Sequence, residues 1–281
     1  FQILQGAARD AVKFAINVGY HHFSCAYMYQ NESKIRDALQ LEIEEGVVRV
    51  GEQLPSFVFP HSCDHEKSLV RVCQKTLAAL QLDHLDLYLM HSPMGFKAGE
   101  ELFPADGNGM IIPSDTDVLD MWEAIEELVD VGIVKAIGVS NFNCKHRLAP
   151  EQTRPKTTNL QIISHPYLPQ EELIKFCQSK GIFVTACCPL GAHNWPGQEC
   201  FPGHISLFDG TKIKKIAFKN NKTPAQVLIW LQIQRNVSVI PKSVTPRHIK
   251  ENFKVFDFEL TKEIETLLGF KRHYHICALS K

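Results

Sequence analysis

Residues 19–32 read GYHHFSCAYMYQNE: a strand-like apolar run that closes on the phenol of Tyr29, the amide of Asn31 and the carboxylate of Glu32, with His21 and His22 at its head. These side-chain types exchange protons in enzymes, so the cluster is a candidate for general acid–base work. Its plain alternative is a strand end with an ordinary half-buried tyrosine. Two further sets carry metal-ligand types: Cys63, Asp64, His65 and Glu66, then Cys187, Cys188, His193, Cys200 and His204. Their spacings match no zinc pattern, so no metal is expected.

Chemistry of this kind needs a scaffold, and the chain supplies enough apolar material for a sizeable core, at 44% hydrophobic over 281 residues. Thirty basic and thirty-one acidic side chains leave a net charge of -1, which gives no global field for nucleic acid or an acidic membrane surface. No apolar run approaches the ~18 residues of a membrane span. The opening FQILQGAARD has neither a cationic start nor a long apolar segment, and the nine cysteines form no pairing framework. A soluble cytoplasmic protein with reduced thiols is expected.

Helical and strand-like patterns alternate along the whole chain. Ala8 to Val18 has helical spacing and stops at Gly19, after which HHFSCA reads as a strand; Asn31 is placed to cap the next helix, which ends near Gly46. Further strands are expected at SFVF (56–59), LDLYLMH (85–91), VKAIGVS (134–140), LQIIS (160–164), IFVTACC (182–188) and VSVI (237–240). Between them lie helices such as TDVLDMWEAIEELVDVG, with Ser114 or Asp115 as cap, and TPAQVLIWLQIQ, with Pro224 in its first turn. The acidic run EAIEELVD is the wet face of a helix. Seven strands with helices between them favour a doubly wound sheet or a (β/α)8 barrel, and the missing G-x-G-x-x-G after the first strand favours the barrel. Barrel chemistry sits at the carboxyl ends of strands, which points to Tyr29, His91, Ser140, Asn141, Gln161, Cys187, Cys188, Lys242 and Ser243.

Those strand ends carry a resemblance. GYHHFSCAYMYQNE, LDLYLMHSPMGFK, GIVKAIGVSNFN, HPYLPQEELIKFCQSKGI and VIPKSVTPRHIKENFKVFDFEL resemble the aldo-keto reductases, in particular the aldose reductase and anhydrofructose reductase branches. The resemblance implies one (β/α)8 barrel domain over residues 1–281, acting as a monomer in NADP(H)-dependent reduction of aldehydes, ketones or sugars. It implies Tyr29 as proton donor and His91 as the group that orients the carbonyl. It also implies that Ser140, Asn141 and Gln161 bind the nicotinamide carboxamide, and that Lys242, Ser243, Val244, Thr245, Glu251 and Asn252 grip the adenosine phosphate. Lysine and hydroxyls ahead of a helix that starts at Pro246 suit an anion. The arginine that the family uses for the extra phosphate aligns with His248, beside Arg247.

A phenol titrates near ~10, so the family tunes its tyrosine with a lysine that pairs with an aspartate. Here the aspartate position holds Ser24 and the lysine position holds Phe59, and no lysine occurs anywhere from Gly51 to Glu66. Joint loss is physically coherent, because one buried charge without its partner costs on the order of 3–5 kcal/mol. General acid catalysis contributes roughly 10²–10⁴ in rate, and a deficit of that size is expected. Cys187 stands where the family stacks a tyrosine under the nicotinamide, which removes about 0.5–1.5 kcal/mol of ring contact. Against the family pattern the chain reads as shortened at both ends, lacking the first barrel strand and the covering C-terminal loop. The segment 142–157 is also short, with Pro150 interrupting its helix. The expectation is a seven-stranded, incomplete barrel with weak or lost reductase activity; the alternative is a non-catalytic member that binds nucleotide or a protein partner.

Overall fold

A computed structural model describes residues 5–25, 31–47, 56–58, 66–93, 95, 97, 104–108, 110, 112–114, 116–143, 157–191 and 206–270. The chain divides into two compact units, residues 2–160 and 161–281.

The first unit alternates helix and strand: α1 Gln5–Val18, β1 Phe23–Ser24, α2 Glu32–Glu44, β2 Ser56–Val58, α3 Glu66–Leu80, β3 Leu87–Met90, α4 Val118–Asp130 and β4 Ile137–Ser140, followed by the entry to β5 Asn159–Ile163. Strands β1 to β4 lie side by side in chain order, all parallel, with Phe23 opposite Ser56, Phe57 opposite Leu87 and Tyr88 opposite Ile137. Parallel strands covered by helices are apolar on both sides, and the buried runs from Tyr88 to Met90 and from Ile137 to Val139 follow that rule. α4 turns Met121, Trp122, Ile125 and Leu128 inward at helical spacing, and its carboxylates outward. Gly138 in β4 is required by space, since a Cβ there would sit 2.3 Å from the carbonyl oxygen of Asn159. α1 packs along α2, with Asn17 Nδ2 donating to Glu42 Oε1 at 2.9 Å and Lys13 Nζ to Glu45 Oε1 at 2.6 Å.

The second unit continues the alternation with the rest of β5, then α5 Glu171–Ser179, β6 Phe183–Cys187, α6 Thr211–Lys219, α7 Pro224–Gln234, β7 Ser238–Val239, α8 Pro246–Phe253 and α9 Lys262–Leu268. Strands β5, β6 and β7 are neighbours in chain order, and β6 and β7 pair in parallel with Thr185 opposite Ser238. Its core joins Ile213, Ile216, Val227, Leu228, Leu231, Leu260 and Leu267 from α6, α7, α9 and the segment before α9. α7 is buried along much of its circumference, and its start is fixed by a capping box in which Thr223 and Gln226 exchange bonds with each other's backbone, with Pro224 in the first turn.

Each of the seven expected strands is present, and α7 and α8 begin where the sequence places them. Three local readings are corrected. The cap of α4 is Asp117, whose carboxylate accepts from Leu119 N at 2.9 Å, whereas Ser114 bonds Thr116. Asn31 precedes α2 but makes no side-chain capping bond. α1 starts at Gln5, ahead of Ala8. Among the described residues, no helix is long and apolar enough to cross a membrane.

Candidate active site

In the first unit, the expected site residues of β3 and β4 lie at the carboxyl ends of those strands. His91 follows β3 directly and is half-buried; Ser140 closes β4 and is buried; Asn141 comes next with φ 62. Asparagine tolerates this left-handed backbone better than most residues. The conformation lets its Nδ2 donate to the His91 carbonyl oxygen at 2.8 Å, so two of the expected site residues are tied together. Ser24 ends β1 with Phe57 as its partner across the register. Tyr29 and Phe59 lie outside the described residues.

Around the end of β1 the titratable groups are set by burial. His22 is driven down from 6.5 to about 4 because burial penalises the cation, so it is a neutral imidazole at neutral pH. Tyr20 is pushed up to about 12 by burial, and neither group is poised for proton exchange. Glu32, 6% exposed, accepts from Thr76 Oγ1 at 2.9 Å, and its carboxyl is raised by burial with the Thr76 bond opposing. Burial, and then the charge of Glu32, push the Cys25 thiol upward. Sequence alone shows neither the Glu32–Thr76 pair nor the Asn141–His91 bond. A carboxylate at the first turn of an amphipathic helix is the available signal for the former.

In the second unit, Gln161 is not at a strand end, where the sequence reading places it: it is the third of the five residues of β5, inside the strand. It is 5% exposed, and its Oε1 is buried with no hydrogen-bond partner. A buried acceptor left unmade costs about 1–3 kcal/mol, so this one calls for an N–H donor. Cys187 closes β6, half-buried.

Past β7 the chain runs without helix or strand through Lys242, Ser243, Val244 and Thr245 before α8 starts at Pro246. Ser243 Oγ accepts from Thr245 N at 3.2 Å, while Thr245 makes no side-chain cap, so α8 starts without a side-chain cap directly after a stretch that carries a lysine and two hydroxyls. Glu251 pairs with Arg247 on the same helix at 3.4 Å, and Asn252 is buried. Gln226 Nε2 donates to the carbonyls of Glu251 and Lys254 at 3.1 and 2.7 Å and so anchors the end of α8 to α7. The second unit thus offers a waiting acceptor on β5 and, ahead of α8, a cation with hydroxyls suited to an anion. No group of three or more His, Cys, Asp or Glu side chains among the described residues is arranged to hold a metal ion.

A family model described as "Aldo/keto reductase family" matches residues 4–266. The chain is 44% identical over 270 residues to "Aldo-keto reductase family 1 member A1" of Gallus gallus, covering 94% of this chain and 81% of that protein. It is 39% identical over 287 residues to "Aldo-keto reductase family 1 member C15" of Rattus norvegicus, covering 97% and 85%. Among solved structures it is similar to the aldose reductase from Schistosoma japonicum, with a TM-score of 0.85 and 38% identity over 94% of this chain and 83% of that one. The fold is accordingly of the (β/α) barrel type.

Proposed function

The chain belongs to the aldo/keto reductase family, and from that membership we propose that it binds NADP(H) and that its reduction of small carbonyl compounds is weak or lost. The observation that carries the cofactor reading is the buried, unpartnered Oε1 of Gln161, an acceptor matched to the amide N–H of a nicotinamide carboxamide. Ser140 and Asn141 are the further residues assigned to that end. Lys242, Ser243, Val244, Thr245, Glu251 and Asn252 are assigned to the phosphate end, where the uncapped start of α8 adds its N–H groups. His248, which aligns with the arginine that the family uses for the extra phosphate, and its neighbour Arg247 are both exposed, and we read the exchange as weakening the preference for NADP over NAD.

When bound, the cofactor supplies a hydride. The chain's own part is to hold the carbonyl and to give its oxygen a proton as charge develops there. We assign orientation to His91, whose backbone is fixed by Asn141, and proton donation to Tyr29. With Ser24 and Phe59 in place of a charged pair, the Tyr29 phenol is assigned donation without the lysine neighbour that tunes it in the family. The whole chain is read as one domain that works as a cytoplasmic monomer, in keeping with its cysteine usage. A non-catalytic binder is the second reading, favoured by the same Ser24 and by Cys187 in the stacking position.

The test is nicotinamide absorbance with a panel of aldehydes, ketones and sugars, run on protein shown to bind NADPH. Slow turnover that vanishes with Tyr29→Phe supports the reductase. Binding without turnover selects the non-catalytic reading, and turnover unaffected by Tyr29→Phe contradicts the assigned donor.

A further inference from the structure

The carboxyl end of β6 carries two adjacent thiols. Cys187 is the last residue of the strand, and Cys188 opens the turn that follows, its carbonyl oxygen accepting from Gly191 N at 3.0 Å. Cys188 has φ 50 although it precedes Pro189, a position where a following proline favours extended backbone. Strain of that kind persists only where the surroundings impose it, and it gathers at functional sites.

These two thiols differ from the other described cysteines. Cys25, Cys73 and Cys177 are buried in the core, and burial pushes Cys25 upward and Cys73 up to about 12, which makes both inert. Cys187 and Cys188 are half-buried neighbours in the chain, and neither is in a disulfide. The neighbouring Cys187 side chain brings the Cys188 thiol below its ordinary range, with burial opposing. The pair therefore combines partial access, a strained backbone at Cys188 and a second sulfur on the adjacent residue that can resolve an oxidised first one.

We propose that Cys187 and Cys188 form a peroxide-reactive dithiol that closes to a vicinal disulfide, a reversible modification site at the end of β6. The Cys188 thiolate attacks a hydroperoxide oxygen; the S–O bond forms, the O–O bond breaks, and the leaving alkoxide takes a proton from water. Cys187 then attacks the resulting sulfenic sulfur; the S–S bond forms, and hydroxide leaves with the Cys187 proton as water. Two thiols and one hydroperoxide give one disulfide, one alcohol and one water, the sulfurs losing the two electrons that the peroxide gains. Neighbouring Cα atoms sit ~3.80 Å apart, below the about 4.4–6.8 Å usual for disulfides, so the closed ring is strained and readily reopened by a dithiol.

The test uses the full chain, reduced, freed of reductant, treated with one equivalent of hydrogen peroxide, alkylated, digested and sequenced by fragmentation mass spectrometry. The expected result is loss of two hydrogen masses localised to Cys187 and Cys188, loss of alkylation at both, and recovery of both by dithiothreitol. In Cys188→Ser the hydrogen loss disappears and Cys187 stays alkylatable. Full alkylation of both thiols after treatment that oxidises other cysteines overturns the proposal, as does a bridge from either to Cys200 in place of their own. The wild-type chain is measured directly, so the proposal stands or falls on it even where the serine variant folds poorly.

Discussion

Asn141 donates from Nδ2 to the carbonyl oxygen of His91 at 2.8 Å, joining the residue after β4 to the residue after β3 across 50 positions of sequence. The bond holds the backbone on which the imidazole of His91 is mounted, and it exists because Asn141 accepts φ 62. Asn141→Ala loses the hydrogen bond and places a plain Cβ residue in the left-handed region, and together these should cost about 2 kcal/mol. Asn141→Gly keeps the backbone and loses only the bond, at about 1 kcal/mol. Urea unfolding of the two variants measures both; equal losses would show that the backbone conformation contributes nothing.

Gly138 is the second point on which the end of β4 depends. An added Cβ meets the carbonyl oxygen of Asn159 at 2.3 Å and Leu89 Cδ2 at 2.7 Å, and the carbonyl belongs to backbone that cannot swing away. Gly138→Ala should therefore lose at least ~3 kcal/mol, the upper part of the range for overpacking, and should fail to reach the wild-type melting temperature. A variant as stable as the parent would mean that β4 shifts freely.

Stability should fall with acid through His22. Its folded pKa of about 4 lies below the ordinary 6.5, so between those values the unfolded chain binds the extra proton. The contribution is whole above 6.5 and drains as pH drops toward about 4. Glu32 runs the other way: its raised carboxyl favours the folded state below the ordinary 4.5 and loses that advantage as pH rises. His22→Gln should flatten the fall in the urea midpoint across the His22 window and leave the Glu32 trend standing. An unchanged slope would assign the acid sensitivity elsewhere.

The serine at position 24 and the phenylalanine at 59 are tested as a pair. Ser24→Asp or Phe59→Lys alone introduces one charge without a partner and should lower stability with little gain in reduction. Together they pair and favour the phenolate of Tyr29, so the double variant should exceed the sum of the singles by more than ~1 kcal/mol in a cycle on kcat/KM. Adding Tyr29→Phe should erase the gain; additive singles would place the defect at Cys187 or elsewhere.

The strands and the starts of α7 and α8 are readable because apolar runs, Pro224, Pro246 and the Thr223–Gln226 box are local signals. The cap of α4 is ambiguous in sequence because SDTD offers four polar candidates within four residues, and only the backbone conformation selects Asp117. For the candidate site, residue type and motif single out His91, Asn141 and Gln161 as expectations, but not their contacts. The Asn141–His91 bond runs from a side chain to a distant backbone carbonyl, and the unpartnered Oε1 of Gln161 arises from burial within β5. Neither property is carried by a local pattern. The burial of Glu32 against Thr76, 44 positions away, is hidden for the same reason.

The central claim is that this chain binds NADP(H) through the segment ahead of α8, and the direct measurement is a fluorescence titration of the purified, folded chain, which carries three tryptophans, with NADPH. The account predicts a saturable quench, weakened about tenfold or more by Lys242→Glu, the loss of one charge-assisted phosphate contact of roughly 1.5–3 kcal/mol. A folded chain that shows no quench at millimolar NADPH, or a quench unchanged by Lys242→Glu, would contradict it.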